Sequence, residues 1–564
     1  MNLPLRLAAL TALAFCAAAS AAELKPYNSA GCSVLDTFFA EEVWAKVATE
    51  SCLKCHKTGG DAEDSKLVLR DLARVSGTER AAALRANRDA FVQMARAKET
   101  NSFRLLLKAN GAVKHGGKEA VKKNSPEQRI LADFTRMVNA PDAAALAKAS
   151  ADAEKNAPPF FNGVAMVDDR RLLRRVTLSL ASRLPTEAEE SAVARGGTKA
   201  MPAILDAVMT EDGFYLRLRE AFNDIFLTLG VDGNADQTVL SYEHFEKTRH
   251  WYQNTNLNHE FLGSIEDKKE RTQAGYKLAN DYRHSLLAEP MKLVEHIVRN
   301  NRPFTELVTA DYWMLSPYSA RGYGNFNELK DKFKDPKNPE EFIAVKLKAL
   351  TGRSKDQNQE SATGFYPHAG LLGSFQYLTR YPTTETNRNR QRARVFFLHF
   401  LGVDVLELAA RVGDAAAVQA KFENPTMQAS ECVVCHKTLD PIAGLFQDYW
   451  RFADAGVYGK RKGGWFADMF GPGYEGEDLP EGERWRALQW LGERTAKDPR
   501  FAVAMTEHAY YLLTGRKVLL ATKDLEDPLF AAKRRAYSEQ RKLTESIATR
   551  FAANGFNFKQ VLKD

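Results

Sequence analysis

Two cysteines separated by two residues and followed at once by histidine occur twice, as Cys52-Leu53-Lys54-Cys55-His56 and Cys432-Val433-Val434-Cys435-His436. On a helical turn this spacing brings both sulfurs to one side, within reach of the two vinyl groups of a haem, and aims the next imidazole at the iron. Each stretch therefore reads as an attachment site for c-type haem. Cys52, Cys55, Cys432 and Cys435 form the thioethers, and His56 and His436 are the proximal ligands of two covalent haems. The competing reading joins the two C-x-x-C halves around one zinc ion. The histidine after each pair and the wide separation of the pairs favour haem. A thioredoxin-like redox pair is expected inside a strand-rich βαβ unit, and neither motif has such surroundings.

Each iron has a further axial position. For the first, His115 lies in Val113-Lys114-His115-Gly116-Gly117, where glycines allow close approach of backbone to a macrocycle. The alternative for His115 is an exposed loop histidine. Met94 and Met137 compete as ligands, but both sit in helical patterns where core packing is the ordinary role. For the second iron three readings stand: His368 in Tyr366-Pro367-His368-Ala369-Gly370, Met469, or an open position. Asp440-Pro441 follows His436 closely and is expected to turn the chain beneath the imidazole, offering a backbone carbonyl to its N–H. His244, His250 and His259 cluster in a Tyr- and Trp-rich stretch but share no helical face, so a metal site there is a minority reading. His296, His399 and His508 sit among apolar neighbours and read as core or boundary residues.

The elements that must position these groups are mostly helical. The stretch 80–97 places Leu84, Phe91, Val92 and Met94 near one helical face. Thr186 and Glu189 form a T-x-x-E capping box at another helix start. The stretch from Ala140 to Pro159, rich in Ala, Asp and Lys and closing with Pro158-Pro159, marks a boundary, as linker or helical spacer. Glycines and aromatics over 463–476, with Met469 among them, predict a structured loop. No repeat of fixed period is present. At 564 residues the chain exceeds one ordinary core and is expected to hold several domains. Its 44% hydrophobic and 27% charged residues are those of a globular protein, which argues against a disordered or fibrous chain. A net charge of +7, scattered along the chain, does not point to a nucleic-acid surface. Arg6, an apolar stretch over 7–19 and the small residues Ser20 and Ala22 have the build of a secretory signal over residues 1–22; a retained anchor is the alternative. Cys16 does not make a lipoprotein signal, because bulky Phe15 precedes it. No transmembrane span is expected in the mature chain, since the apolar run 395–412 carries His399, Asp404 and Glu407. The mature protein is thus expected to be exported and soluble, in keeping with haem attachment outside the cytoplasmic membrane. Cys32 is left over, either as a buried small residue or in an intermolecular disulfide.

FFAEEVWAKVATESCLKCH and the following VKHGGKEAVKKNSPEQRILADF resemble the cytochrome module of multidomain c-type cytochromes abundant in planctomycetes and also found in proteobacteria. DRRLLRRVTLSLASRLPTEAEE, NRPFTELVTADYWMLSPYSARGYG and HAGLLGSFQYLTRYPTTETNRNRQRARVFFLHFLGV are similar to three further modules. ECVVCHKTLDPIAGLF matches the family's C-x-x-C-H…D-P-x-x-G text, and RFAVAMTEHAYYLLTGR its last helical module. The resemblance covers most of the chain. It implies a mainly α, multidomain protein: a cytochrome c-like domain over 23–140, a linker over 141–160, helical modules over 161–235 and 236–360, a second haem module over 361–460 and a C-terminal helical module over 461–564. It also makes His115, in the H-G-G loop, the expected distal ligand of the first haem. The function expected is periplasmic electron transfer with a redox partner protein. The alternative is a haem-dependent oxidoreductase, peroxidase- or oxygenase-like, acting at the second haem, with an unknown substrate bound by the middle modules or those modules serving as scaffold. No Ser-His-Asp arrangement, phosphate loop or dinucleotide fingerprint has adequate context.

Overall fold

The computed structural model describes residues 38–75, 77–99, 102–139, 143–155, 157–229, 250–253, 260–350, 358–405, 424–428, 430–449, 458–461, 463–522, 524–525 and 527–564. The signal segment 1–22, Cys32, His244 and His259 lie outside them. Helix dominates. Among the described residues, strands occur only as three antiparallel pairs of two or three residues each. No described helix is long and apolar enough to cross a membrane.

Four helices, Phe39–Cys52, Gly77–Arg96, Arg104–Ala109 and Pro126–Val138, surround one small core. The first is wound widely, with Leu53 N–H reaching the Ala48 carbonyl five residues back at 2.7 Å. The fourth starts where Ser125 accepts from the Gln128 N–H and Pro126 takes the first helical position, which needs no N–H donor. Phe39, Phe91 and Phe134, one from each of three helices, are fully buried with ring centres 5.3 to 6.4 Å apart. Each contributes about 1.5–3 kcal/mol by leaving water. Together they fix how the helices meet.

A second, continuous core runs from Leu173 to Leu562. Residues of all four stretches expected as successive modules contribute to it. The 32-residue helix Lys268–Arg299 is a spine of this body and is capped by Asp267. Inside it, fully buried Glu289 accepts from Trp313 Nε1, Tyr323 Oη and Gln376 Nε2, each at 2.7 Å. Thr186 and Glu189 make the reciprocal capping box that starts helix Glu187–Gly196. The boundary stretch forms helix Ala143–Lys155, which packs along Phe530–Ala553.

Candidate functional site

Cys52 ends the first helix, and the chain turns with Cys55 and His56 N–H both directed to the Cys52 carbonyl, at 3.2 and 3.0 Å. Cys52, Cys55 and His56 thus belong to one turn. Burial, then neighbouring Cys55, pushes the Cys52 thiol up to about 12. A protonated thiol lacks the lowered pKa of a nucleophilic C-x-x-C pair.

The His56 and His115 rings lie with centres 6.0 Å apart and planes within 16° of parallel. His56 Nδ1 bonds the Leu67 carbonyl at 2.8 Å and Ser65 Oγ at 3.0 Å; His115 Nδ1 bonds the Lys118 carbonyl at 3.1 Å. A carbonyl only accepts, so Nδ1 carries the proton in both rings and Nε2 keeps its lone pair. A metal lying in both ring planes and bonded to one nitrogen of each at about 2 Å would hold the ring centres about 6 Å apart. Gly117 makes room for this. A Cβ there would stand 3.2 Å from His115 Cε1, whereas one on Gly116 would meet nothing within 4 Å. Burial, opposed by the Leu67 bond and helped by His115, lowers the His56 pKa and favours the neutral, ligating form. Met94 and Met137 pack against the Phe-rich core.

The second motif lies within one continuous helix, Ser430–Leu445. Asp440-Pro441 does not turn the chain, as expected from sequence, but continues the helix with Pro441 inside it. Residues four apart then share a face. The group beneath the imidazole is accordingly the Asp440 carboxylate and not a backbone carbonyl: His436 Nδ1 donates to Asp440 Oδ1 at 3.0 Å. Asp440 is fully buried, and Arg390 grips both its oxygens, Nε to Oδ1 at 2.7 Å and Nη2 to Oδ2 at 3.3 Å. Arg390 opens helix Arg390–Leu401 after two successive left-handed residues, Arg388 at φ 48° and Asn389 at φ 65°. Buried Arg392 anchors that corner through the carbonyls of Leu378, Tyr381 and Tyr449. Such strained turns hold only where surrounding bonds enforce them. Burial, then Asp404, raises the Cys435 thiol. The Cys432 side chain lies outside the described positions.

Met469 is buried in the loop expected over 463–476. That loop is fastened to the motif helix where Pro472 sits on Gly444; a Cβ at Gly444 would come within 2.8 Å of it. Arg388 donates to Asp468 at 2.6 Å, and both Arg388 and Arg461 cover the Phe466 ring, at 4.3 and 3.5 Å. His368 is buried, its Nε2 accepts the Leu347 N–H at 3.1 Å, and burial takes its pKa down to about 3. In this arrangement its lone pair serves the backbone. His399 and His508 are core residues, joined by a 2.7 Å bond from His508 Nε2 to the His399 carbonyl. His296 meets Asn300 and Tyr312, and His250 meets Tyr252.

His56, His115 and His436 each bind a carbonyl or carboxylate through Nδ1, with no hydrogen bond on Nε2. Among the described residues no group of three or more His, Cys, Asp or Glu is arranged around a common point. A haem asks for only two axial side chains. Sequence reasoning passed over Arg390, which is far from the motif in the chain. The Asp440 contact had a signal, the four-residue spacing from His436, once the stretch is taken as helix. Comparison with known protein families, characterised proteins and solved structures gives no match to this chain.

Proposed function

We propose that this chain is an exported, periplasmic c-type cytochrome with two covalent haems that passes electrons to and from a redox partner protein. The observation that carries the reading is the near-parallel pair His56 and His115, 6.0 Å apart, each with Nδ1 tied to a carbonyl and no hydrogen bond on Nε2. Cys52 and Cys55 would hold the first haem covalently, with His56 and His115 as the residues that would ligate its iron. Cys432, Cys435 and His436 would hold the second. Haem supplies a one-electron ferric–ferrous couple. The chain fixes both imidazoles of the first site through backbone carbonyls, which limits rearrangement as charge changes. The resemblance of both motifs to the multidomain cytochromes supports the same reading.

A second reading, a haem-dependent oxidoreductase acting at His436, draws on the buried carboxylate behind that imidazole, an arrangement that strengthens a proximal histidine as an electron donor. It is the alternative, and it requires a position at that haem that is open or opens to substrate.

The testing measurement is the intact mass of the secreted protein. It is expected to exceed the processed chain by two haem groups that denaturation does not release. Changing Cys432 and Cys435 together to Ala is expected to remove one and leave the other. A mass equal to the bare chain would sink the proposal.

A further inference from the structure

We infer that Asp440 and Arg390 form an opposed pair that sets the electron-donor strength of His436, and through it the reduction potential of the second haem. The inference rests on the haem reading above and goes beyond it.

The two motif histidines differ in what receives their Nδ1 proton. His56 donates to neutral oxygens, the Leu67 carbonyl and Ser65. His436 donates to a carboxylate that is fully shielded from water. Asp440 Oδ1 accepts from both His436 Nδ1 and Arg390 Nε, and Oδ2 from Arg390 Nη2, so the carboxylate is the anion that imidazole and guanidinium share. An anionic acceptor draws the Nδ1 proton outward and leaves more electron density on Nε2. That favours the ferric over the ferrous state and lowers the potential. Arg390 acts the other way. Its guanidinium holds both carboxylate oxygens and withdraws part of the charge that Asp440 presents to the imidazole. Arg390 is itself placed by the left-handed turn at Arg388 and Asn389, so its grip is built into the fold. Asp440 and Arg390 are positioning residues; neither is assigned contact with the haem.

The two members of the pair therefore push the potential in opposite directions, which a merely structural contact would not do. The experiment is a spectroelectrochemical titration of the full-length holoprotein. The second haem is identified as the wave missing from the Cys432→Ala, Cys435→Ala protein. Asp440→Asn keeps the shape of the acceptor and removes its charge; it is expected to raise that potential by a tenfold change in the ferric–ferrous ratio, 59 mV for one electron. Arg390→Gln is expected to lower it, and Arg390→Lys to restore most of the loss. The first haem should stay put throughout. A shift of the same sign in both variants, or no shift in either, overturns the inference. If Asp440→Asn fails to load the second haem, the Arg390→Gln result decides: a fall supports the pair, and no change or a rise overturns it. Failure of the underlying reading is separate and visible first, as a wild-type protein that carries no second haem at all.

Discussion

A histidine binds a metal with the nitrogen that its other hydrogen bond leaves bare, so the partners of each ring sort the histidines of this chain by what they are able to do. His115 is half-exposed, yet its Nδ1 is fixed on Lys118 and its ring lies nearly parallel to that of His56. Replacing His115 with Met is expected to raise the potential of the first haem and leave the second nearly unchanged, because a thioether stabilises ferrous iron relative to imidazole. An unaltered spectrum and potential would return attention to Met94 or Met137. Glu289 makes a different prediction. Burial, opposed by bonds from Trp313 and Tyr323, lifts its carboxyl from 4.5 to about 8. The folded chain therefore keeps this proton while the unfolded chain releases it. Stability is fully present below about pH 4.5 and falls as pH rises towards about 8, where the native carboxyl too ionises. Glu289→Gln retains an oxygen for Trp313 and Tyr323 and has no proton to lose. Urea midpoints across that pH window are expected to fall for the wild type and to stay flatter for the variant; parallel curves would show that Glu289 does not carry this dependence.

At the scale of elements, the loop 113–118 matters for the backbone it allows. Gly117→Ala puts a methyl against the His115 ring and is expected to shift the first haem's spectrum and potential, whereas Gly116→Ala, pointing into open space, leaves both in place. Equal effects from the two would remove the steric account. Much of this level was legible beforehand. The T-x-x-E text at Thr186 makes its capping box, and the one-face pattern of 80–97 becomes helix Gly77–Arg96 with Phe91 in the core. Local rules suffice there because the partners lie within four residues. Pro441 misled for the same reason: proline ends most helices, but tertiary packing of Ser430–Leu445 against Arg390–Leu401 and the Gly473–Tyr474 strand outweighs the one lost bond. Arg390 was not legible at all, since its meeting with Asp440 depends on two left-handed residues and on folding at long range. The same holds for Gly444, whose lack of a side chain matters only once Pro472 is laid across it.

On the scale of the whole molecule the two motifs stand in unlike settings. The first belongs to a four-helix unit with its own small core; the second is embedded in the large body that runs from Leu173 to Leu562. The first has two prepared imidazoles. The second has one imidazole backed by a carboxylate, while His368 spends its lone pair on Leu347 and Met469 lies in the fastened loop. That asymmetry makes the second site the place where carrier and enzyme part company. An electron carrier keeps its axial ligands in both oxidation states, which limits reorganisation, and gives low-spin iron that excludes added ligands. An enzyme needs a position that opens. The oxidised protein is expected to show two low-spin signals by electron paramagnetic resonance, and the reduced protein to bind carbon monoxide slowly or not at all. One full equivalent bound rapidly, lost on changing His436 but kept on changing His56, would overturn the carrier proposal and locate chemistry at the second haem. Repeating the titration in the half-reduced protein closes the remaining route, a ligand that moves aside only when the first haem alone holds its electron. Rapid binding confined to that state would also favour the enzyme, and exclusion in every state would leave the large body as the frame that carries the second haem.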